Sequence, residues 1–354
     1  MPLNTVKRRF YFLLLIGANL CACSPPPEKT TLHEQIIVFG TVVDITLGQV
    51  TQQQAHHVMQ QIQQRLQYYH DAWHAWQPSQ LTDLNRAIAT GKSRTVAPEL
   101  IELLQISQAI SKQSGHLFNP AIGKLIRLWG FQRHDDAPWQ PPSSAQLQPY
   151  LIAPPLMHEL HIEQDQVSAS NPNIQLDLGA IAKGYVIDKI IKMIQQQDIN
   201  HAIVNAGGDL KTIGDNQGKP WKIGIQHPNK KAIIGVVETA DGESIFTSGS
   251  YQRFFTYQGK TYHHLIDPRT AYPSENIVSA TIIHPNASIA DASATAFMLN
   301  GTQNWQALAR SMKIQYVLLL DKDGHITMSN AMASRLKLKA AFKKNATIKA
   351  LTLD

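Results

Sequence analysis

Stretches of β-branched residues alternate with stretches of helical period along nearly the whole chain, and this alternation most narrows the fold. Residues 36–47, IIVFGTVVDITL, read as one strand with Gly40 at a bulge. Residues 52–74 place Ala55, Val58, Met59, Ile62, Leu66 and Tyr69 three or four apart, the spacing of an amphipathic helix. A second helix is predicted over 98–114, opened by Pro98 and stopped by Gly115, and a third over 177–197. Strand-like segments recur at 201–205, 221–226, 233–238, 244–247, 262–266 and 277–283. A further helix is predicted from Asp291, as its N-cap, through Leu299, and a last strand at 316–320. Residues 135–144, with Pro138, Pro141 and Pro142, are expected in a surface loop. Residues 336–354 are Lys-rich and poorly patterned. Interspersed strands and helices without an internal repeat or a linker predict an α+β (mixed α/β) fold: one bilobed domain with mixed or antiparallel sheets and flanking helices.

Composition excludes several functions. Hydrophobic residues make up 43% of the 354 positions and charged residues 16%, which permits a substantial core and argues against wholesale disorder. The net charge is +6, but Lys7, Arg8 and Arg9 supply three of the 32 basic residues; without them 29 face 26 acidic ones, or +3. A body so near neutral is a poor electrostatic binder of nucleic acid. Two cysteines exclude a disulfide scaffold and a thiolate zinc cluster. The 15 histidines are scattered, with no His-Glu-x-x-His arrangement, which argues against a zinc hydrolase.

The three basic residues precede an apolar run over 10–20, about 11 residues and too short to span a bilayer of ~30 Å. A basic start followed by a short apolar stretch reads as a secretory signal. It ends in Leu20-Cys21-Ala22-Cys23, then Ser24 and three prolines. This resembles the bacterial lipobox, with cleavage after residue 22 and lipid on Cys23; Cys21 fits less well, because Asn19 and Leu20 stand where small residues are wanted. Residues 23–33 would then tether the body to a membrane.

Five segments carry candidate chemistry. Asp177-Leu178-Gly179-Ala180-Ile181-Ala182-Lys183-Gly184 combines an acidic helix start, small residues that admit close approach and a lysine near the same end, features of a phosphate site or of a well-capped surface helix. Asn205-Ala206-Gly207-Gly208-Asp209 is a bare turn after a strand, and Thr247-Ser248-Gly249 puts hydroxyls at a strand end. His263-His264-Leu265-Ile266-Asp267-Pro268 sets histidines beside an Asp-Pro turn whose carboxylate can fix a tautomer, as a general base requires. Asp291 and Thr295, four apart, share one helix face; such hard oxygens suit Mg²⁺ held partly by substrate phosphates.

In this order and spacing the five segments resemble the ApbE family of flavin transferases, over roughly residues 34–330. The resemblance implies binding of FAD and Mg²⁺, cleavage of the pyrophosphate, and transfer of FMN to a threonine or serine of another protein with release of AMP. It implies Phe39, Trp76, His116, Leu117, Phe118, Asp177, Lys183 and Leu265 as FAD contacts, and the Ala180 carbonyl, Asp291 and Thr295 as metal ligands. His264 is the candidate base, with His263 the alternative. The alternative activities are an FAD pyrophosphatase yielding FMN and AMP, and a non-catalytic FAD-binding lipoprotein. The resemblance further implies a lipid-anchored protein on the periplasmic side whose acceptor is a subunit of a membrane redox complex. The family favours the inner membrane, while Ser24 leaves the outer membrane open. The expected organisation is a lipoprotein signal over 1–22, a tether over 23–33, the transferase domain over 34–335 and a tail over 336–354. The chain departs from the family pattern at Phe39 (usually Met), Trp76 (usually Tyr), a missing residue between Pro78 and Ser79, Asn119 and Ser250 (each often Asp), and Ala271 (usually Gly).

Overall fold

The computed structural model describes residues 28–133 and 139–353. The signal segment, Cys23 and part of the proline-rich loop lie outside the described residues.

Among the described residues, nine strands form one sheet in the order Thr30–Val38, Thr41–Val50, His201–Ala206, Asp209–Ile213, Ser244–Gly249, Ile277–His284, Tyr316–Asp321, Ile326–Ser329 and Ala346–Lys349. Each neighbouring pair is antiparallel except the last, which is parallel. Side chains alternate across a strand, and here both faces are covered. Phe246, Ile282, Val317 and Leu319 enter a core shared with helices Gln52–Ala72, Pro98–Gln113, Ala182–Gln195 and Ala287–Asn300. Their neighbours Ile245, Ile283, Leu318 and Leu320 enter a second core. That core lies under a three-stranded sheet of Leu336–Leu338, Ile233–Glu238 and Lys222–Gln226. Two-sided burial is why residues 316–320 read as an unbroken apolar run.

The α+β expectation agrees with this architecture, and helices Gln52–Ala72 and Pro98–Gln113 stand where their periodicity and punctuation put them. Other boundaries differ for physical reasons. Residues 36–47 are the two arms of a hairpin, not one bulged strand; Phe39 and Gly40, at φ 55° and 69°, form its turn. The hairpin begins at Thr30, so the end of the expected tether is already sheet. The third helix starts at Ala182, five residues after Asp177, because the Asp177 side chain folds into its own turn. The helix bearing Asp291 starts at Ala287 with Asn286 as its N-cap, so Asp291 lies in its second turn. The tail is ordered secondary structure: Leu336–Leu338 pairs with Ile233–Glu238, and Ala346–Lys349 closes the edge of the large sheet.

Candidate functional site

The site is built on the crossing of helices Ala182–Gln195 and Ala287–Asn300. Gly184 lies so close to the second helix that a Cβ would sit 2.3 Å from the Ala287 carbonyl oxygen. The small residues of the Gly179 to Gly184 segment therefore serve, at Gly184, the approach of another backbone. Asp188, one turn further on, accepts hydrogen bonds from the Ala287 and Ser288 N–H groups at 2.9 and 3.1 Å. It thus satisfies free donors at the N-terminus of the second helix, where the helix dipole also favours a negative charge. Lys211 holds the other Asp188 oxygen at 2.7 Å.

The crossing has a chemical consequence. Gly184 is the third residue of helix Ala182–Gln195, so its N–H is one of the end donors that no carbonyl of the helix accepts. It donates instead to Asp291 Oδ2 at 2.9 Å. The Ala180 carbonyl, which lies ahead of the Ile181 N-cap, has no backbone hydrogen bond among the described residues. The Ala180 carbonyl, the buried Asp291 carboxylate, one of whose oxygens has no hydrogen bond among the described residues, and the Thr295 hydroxyl on the same helix face as Asp291 are hard oxygens of the kind Mg²⁺ takes. Thr295 lies 3.2 Å from the Ser248 hydroxyl, so its side chain is shared with strand Ser244–Gly249. Burial pushes the Asp291 carboxyl up; the Lys183 charge pulls it back and Asp209 adds to the rise. A group of Asp321, Asp323 and His325 lies elsewhere, in a turn where Asp321 Oδ1 accepts the Asp323 and His325 N–H groups.

Lys183 does not stand free at a helix end as a phosphate-binding lysine would. Its Nζ pairs with Asp209 Oδ2, and Asp209 Oδ1 accepts the Thr247 N–H at 2.9 Å. Burial alone would lower the Lys183 pKa, but Asp209 and Asp291 outweigh it and hold the lysine charged. Asp209 follows the Gly207-Gly208 turn, where φ values of 65° and 102° call for glycine.

The two histidines differ in kind. His263 is buried, with Nε2 donating to the Ser274 carbonyl at 2.6 Å and Nδ1 accepting the Leu265 N–H at 3.3 Å; both ring nitrogens are used. His264 engages the Arg253 carbonyl through Nδ1 at 3.3 Å, and its Nε2 has no hydrogen bond among the described residues. Burial, then the charge of Arg253 and the neighbouring His263, push His264 down to about 4. The carboxylate expected to orient the histidine is committed elsewhere: Asp267 binds the Arg269 guanidinium at 2.7 to 3.2 Å. A backbone carbonyl does that work.

Residues 119–123 run beside 174–177, tied by Gln175 N–H to Ala121 O at 3.1 Å and Asp177 N–H to Pro120 O at 2.9 Å. Buried Asn85 clamps both backbone groups of Leu176, at 2.9 and 2.7 Å, and so fixes Asp177. Asp177 is half-buried, pushed up by burial, with Arg253 and His74 opposing that rise. Of the other expected flavin contacts, Phe39 packs edge-on to His70 and Trp76 lies under Arg127; both are half-buried with aromatic surface exposed. His116 sits at φ 65° beside His158, Leu117 and Leu265 are buried, and Phe118 is 1% exposed within the core. Asn85, Asp188, Asp209 and Arg253 were not singled out from the sequence as site residues. Asp209 alone had a signal, its place in a Gly-Gly-Asp turn.

A model of the ApbE family matches residues 39–318. The FAD:protein FMN transferase of Rhodobacter capsulatus is 36% identical over 326 residues, covering 92% of this chain and 61% of that protein. This chain thus spans about three fifths of that relative's length. The protein of the same name from Klebsiella pneumoniae (strain 342) is 33% identical over 266 residues, 73% of this chain and 79% of that one. Among solved structures, the ApbE protein of Thermotoga maritima matches with a TM-score of 0.76 at 25% identity, covering 89% of this chain and 99% of that one. The flavin transferase ApbE of Vibrio cholerae matches in fold with a TM-score of 0.76 at 24% identity, covering 87% and 100%.

Proposed function

The chain belongs to the ApbE family, and from that premise we propose that it transfers FMN from FAD to a threonine or serine hydroxyl of another protein, releasing AMP. The observation that carries this reading is the helix crossing at Gly184, where the buried Asp291 carboxylate accepts the Gly184 N–H just beyond the open Ala180 carbonyl and Lys183 is held charged alongside.

Phosphoryl transfer rests mainly on positioning and charge neutralisation. The acceptor oxygen attacks the FMN phosphorus, and the bond from that phosphorus to the bridging oxygen breaks, its electron pair leaving with AMP. His264 Nε2 takes the hydroxyl proton. Its depressed pKa keeps it neutral and able to accept at physiological pH, and such assistance is worth roughly 10²–10⁴-fold. His263 is excluded from that role by its two occupied nitrogens. Lys183, fixed by Asp209, sets a positive charge against the diphosphate. Mg²⁺ held by the Ala180 carbonyl, Asp291 and Thr295 would add charge neutralisation there. Phe39 and Trp76 offer aromatic faces to the flavin or adenine ring, Asp177 and His116 offer polar contacts, and Leu117, Phe118 and Leu265 back the pocket.

We further infer, from the lipobox, a lipid anchor at Cys23 on the periplasmic side of a membrane and, from the family, an acceptor that is a subunit of a membrane redox complex. The test combines the purified full-length chain, FAD, Mg²⁺ and a threonine-containing acceptor protein. A fluorescent flavin band that survives denaturing electrophoresis, disappears with a chelator and accompanies acceptor-stimulated AMP release is expected. AMP release indifferent to the acceptor would make the enzyme a hydrolase, and intact FAD after long incubation would make it a carrier.

A further inference from the structure

A cleft of about 260 Å³ lies against the Lys183–Asp209 pair and takes no part in the metal or flavin contacts described above. Its lining includes Asp209 and Thr247 of the site, the Gly207-Gly208 turn, and Tyr251. Its other wall is the whole of strand Lys222–Gln226. Cofactor pockets commonly occupy about 300–1,000 Å³, so this cleft is small for a dinucleotide and suits a short piece of chain.

The wall is an open sheet edge. Lys222–Gln226 is the outermost strand of its three-stranded sheet and pairs on one side only, with Ile233–Glu238. The Thr239 N–H donates to the Trp221 carbonyl at 3.0 Å, which fixes the alternation of the ladder. Residues 221, 223 and 225 turn their backbone groups towards the partner strand, and Lys222 and Gly224 turn theirs outward. At the opposite side of the cleft, Gly208 has open space where a Cβ would be. The strand has five residues and an exposed lysine, features that discourage pairing with a second copy of itself.

Resting on the transferase reading, we propose that this edge receives the acceptor protein. The segment of the acceptor that carries the hydroxyl adds to Lys222–Gln226 as a short extra strand, and its side chain projects past Thr247 and Asp209 towards the reacting phosphorus. Pairing through main-chain groups accepts varied sequences, so selectivity falls on the hydroxyl and on the space beside the Gly-Gly turn.

The test starts with an acceptor protein that the wild-type enzyme flavinylates. Hydrogen exchange is followed with and without that acceptor in its threonine-to-alanine form, which binds without reacting. The Lys222 and Gly224 amides are expected to gain protection. Gly224→Pro, which deletes an outward N–H while sparing the ladder, is expected to raise the acceptor KM about fivefold to tenfold, the worth of one backbone hydrogen bond, with the FAD KM unchanged. Flavinylation by the wild type without protection at either amide would overturn the docking proposal alone. Failure of the wild type to flavinylate any acceptor would overturn the transferase reading and the docking proposal with it.

Discussion

Gly184→Ala tests the helix crossing, because two effects of known size oppose one another there. In an exposed helix interior the change would stabilise by about 1 kcal/mol through helix propensity alone. At this position the new methyl would stand 2.3 Å from the Ala287 carbonyl oxygen, 2.6 Å from its carbon and 2.8 Å from the Ser288 Cα. All three are backbone atoms, so no rotamer can move them aside. Ordinary contact begins near 3.4 Å, so the helices must part by about 1 Å. That displacement takes the 2.9 Å bond from Gly184 N–H to Asp291 out to about 4 Å, beyond hydrogen-bond range. Overpacking of this kind costs about 1–3 kcal/mol, and a buried acceptor left unpaired about 1–3 more. The steric term wins, and a net loss of about 1–5 kcal/mol is expected by urea denaturation. A misplacement of about 1 Å at a reacting centre also lowers turnover by roughly 10²-fold, read as Mg²⁺-dependent AMP release in a variant still folded at the assay temperature. An alanine variant as stable as the parent, with full activity, would mean that the helices do not meet at Gly184 and would remove the basis for the placing of the Asp291 carboxylate.

Further outcomes follow from the same contacts. His264→Ala should retain FAD binding, measured by flavin fluorescence, and lose transfer by roughly 10²–10⁴-fold; full transfer would dismiss it as the base. Because the folded-state pKa of His264 is depressed to about 4, the neutral base is fully present above an ordinary histidine pKa and is lost as pH falls through about 4. The acid limb of kcat/KM should therefore lie near pH 4 in the parent and be absent in His264→Ala. The same sign applies to folding: between the unfolded and folded values the unfolded chain binds the extra proton, so stability falls with falling pH in that window. Asn85→Leu should raise the KM for FAD with little change in kcat, because it removes the clamp on Leu176 that sets Asp177 without touching the reacting groups. Ala271→Gly should leave stability within about 1 kcal/mol by denaturant titration, since relief of the left-handed backbone (φ 60°) is offset by loss of a fully buried methyl and a freer unfolded chain. Ala271→Val should be clearly destabilising, because a β-branched residue tolerates that backbone least.

How much of this was legible in the sequence depends on how far apart the determining residues lie. Helices Gln52–Ala72 and Pro98–Gln113 are written in local periodicity and punctuation, and both stand as expected. The hairpin was hidden because its turn needs positive φ at two positions and only Gly40 advertises it; Phe39 does not. Asp177 and Asp291 both carry the residue type of an N-cap. In each case a remote or non-helical partner takes the carboxylate: Gly179 within its own turn, and Gly184 from another helix. The pairing of Lys183 with Asp209 bridges 26 positions and that of Asn85 with Leu176 bridges 91, so neither could be read before the fold was known. Motif matching alone favours His264 over His263 in the sequence; which ring nitrogens are occupied becomes visible only in the fold.

The departures from the family pattern fall where the structure can absorb them. Asn119 is buried, accepting the Ala121 N–H at 3.1 Å and donating to the Pro155 carbonyl at 2.8 Å; an ionised aspartate has no proton to donate to that carbonyl. Asparagine here serves a turn by means of its amide. Ala271 takes a glycine-like backbone, held by its N–H to the Asp267 carbonyl at 2.8 Å and by Trp129 Nε1 donating to its own carbonyl at 2.9 Å. Nothing in the structure explains Ser250. Phe39 and Trp76 exchange one exposed ring or thioether surface for another. Apart from Ser250, each of these sites has a compensating donor, a tolerable φ or exposed surface. Gly184 has none of the three, since its neighbours are the backbone of a helix whose own start is tied down by Asp188. The chain can therefore vary the rim of its site and the turns beneath it, while the spacing of two helices, which sets the carboxylate of Asp291 against the Gly184 N–H, admits a glycine and nothing larger.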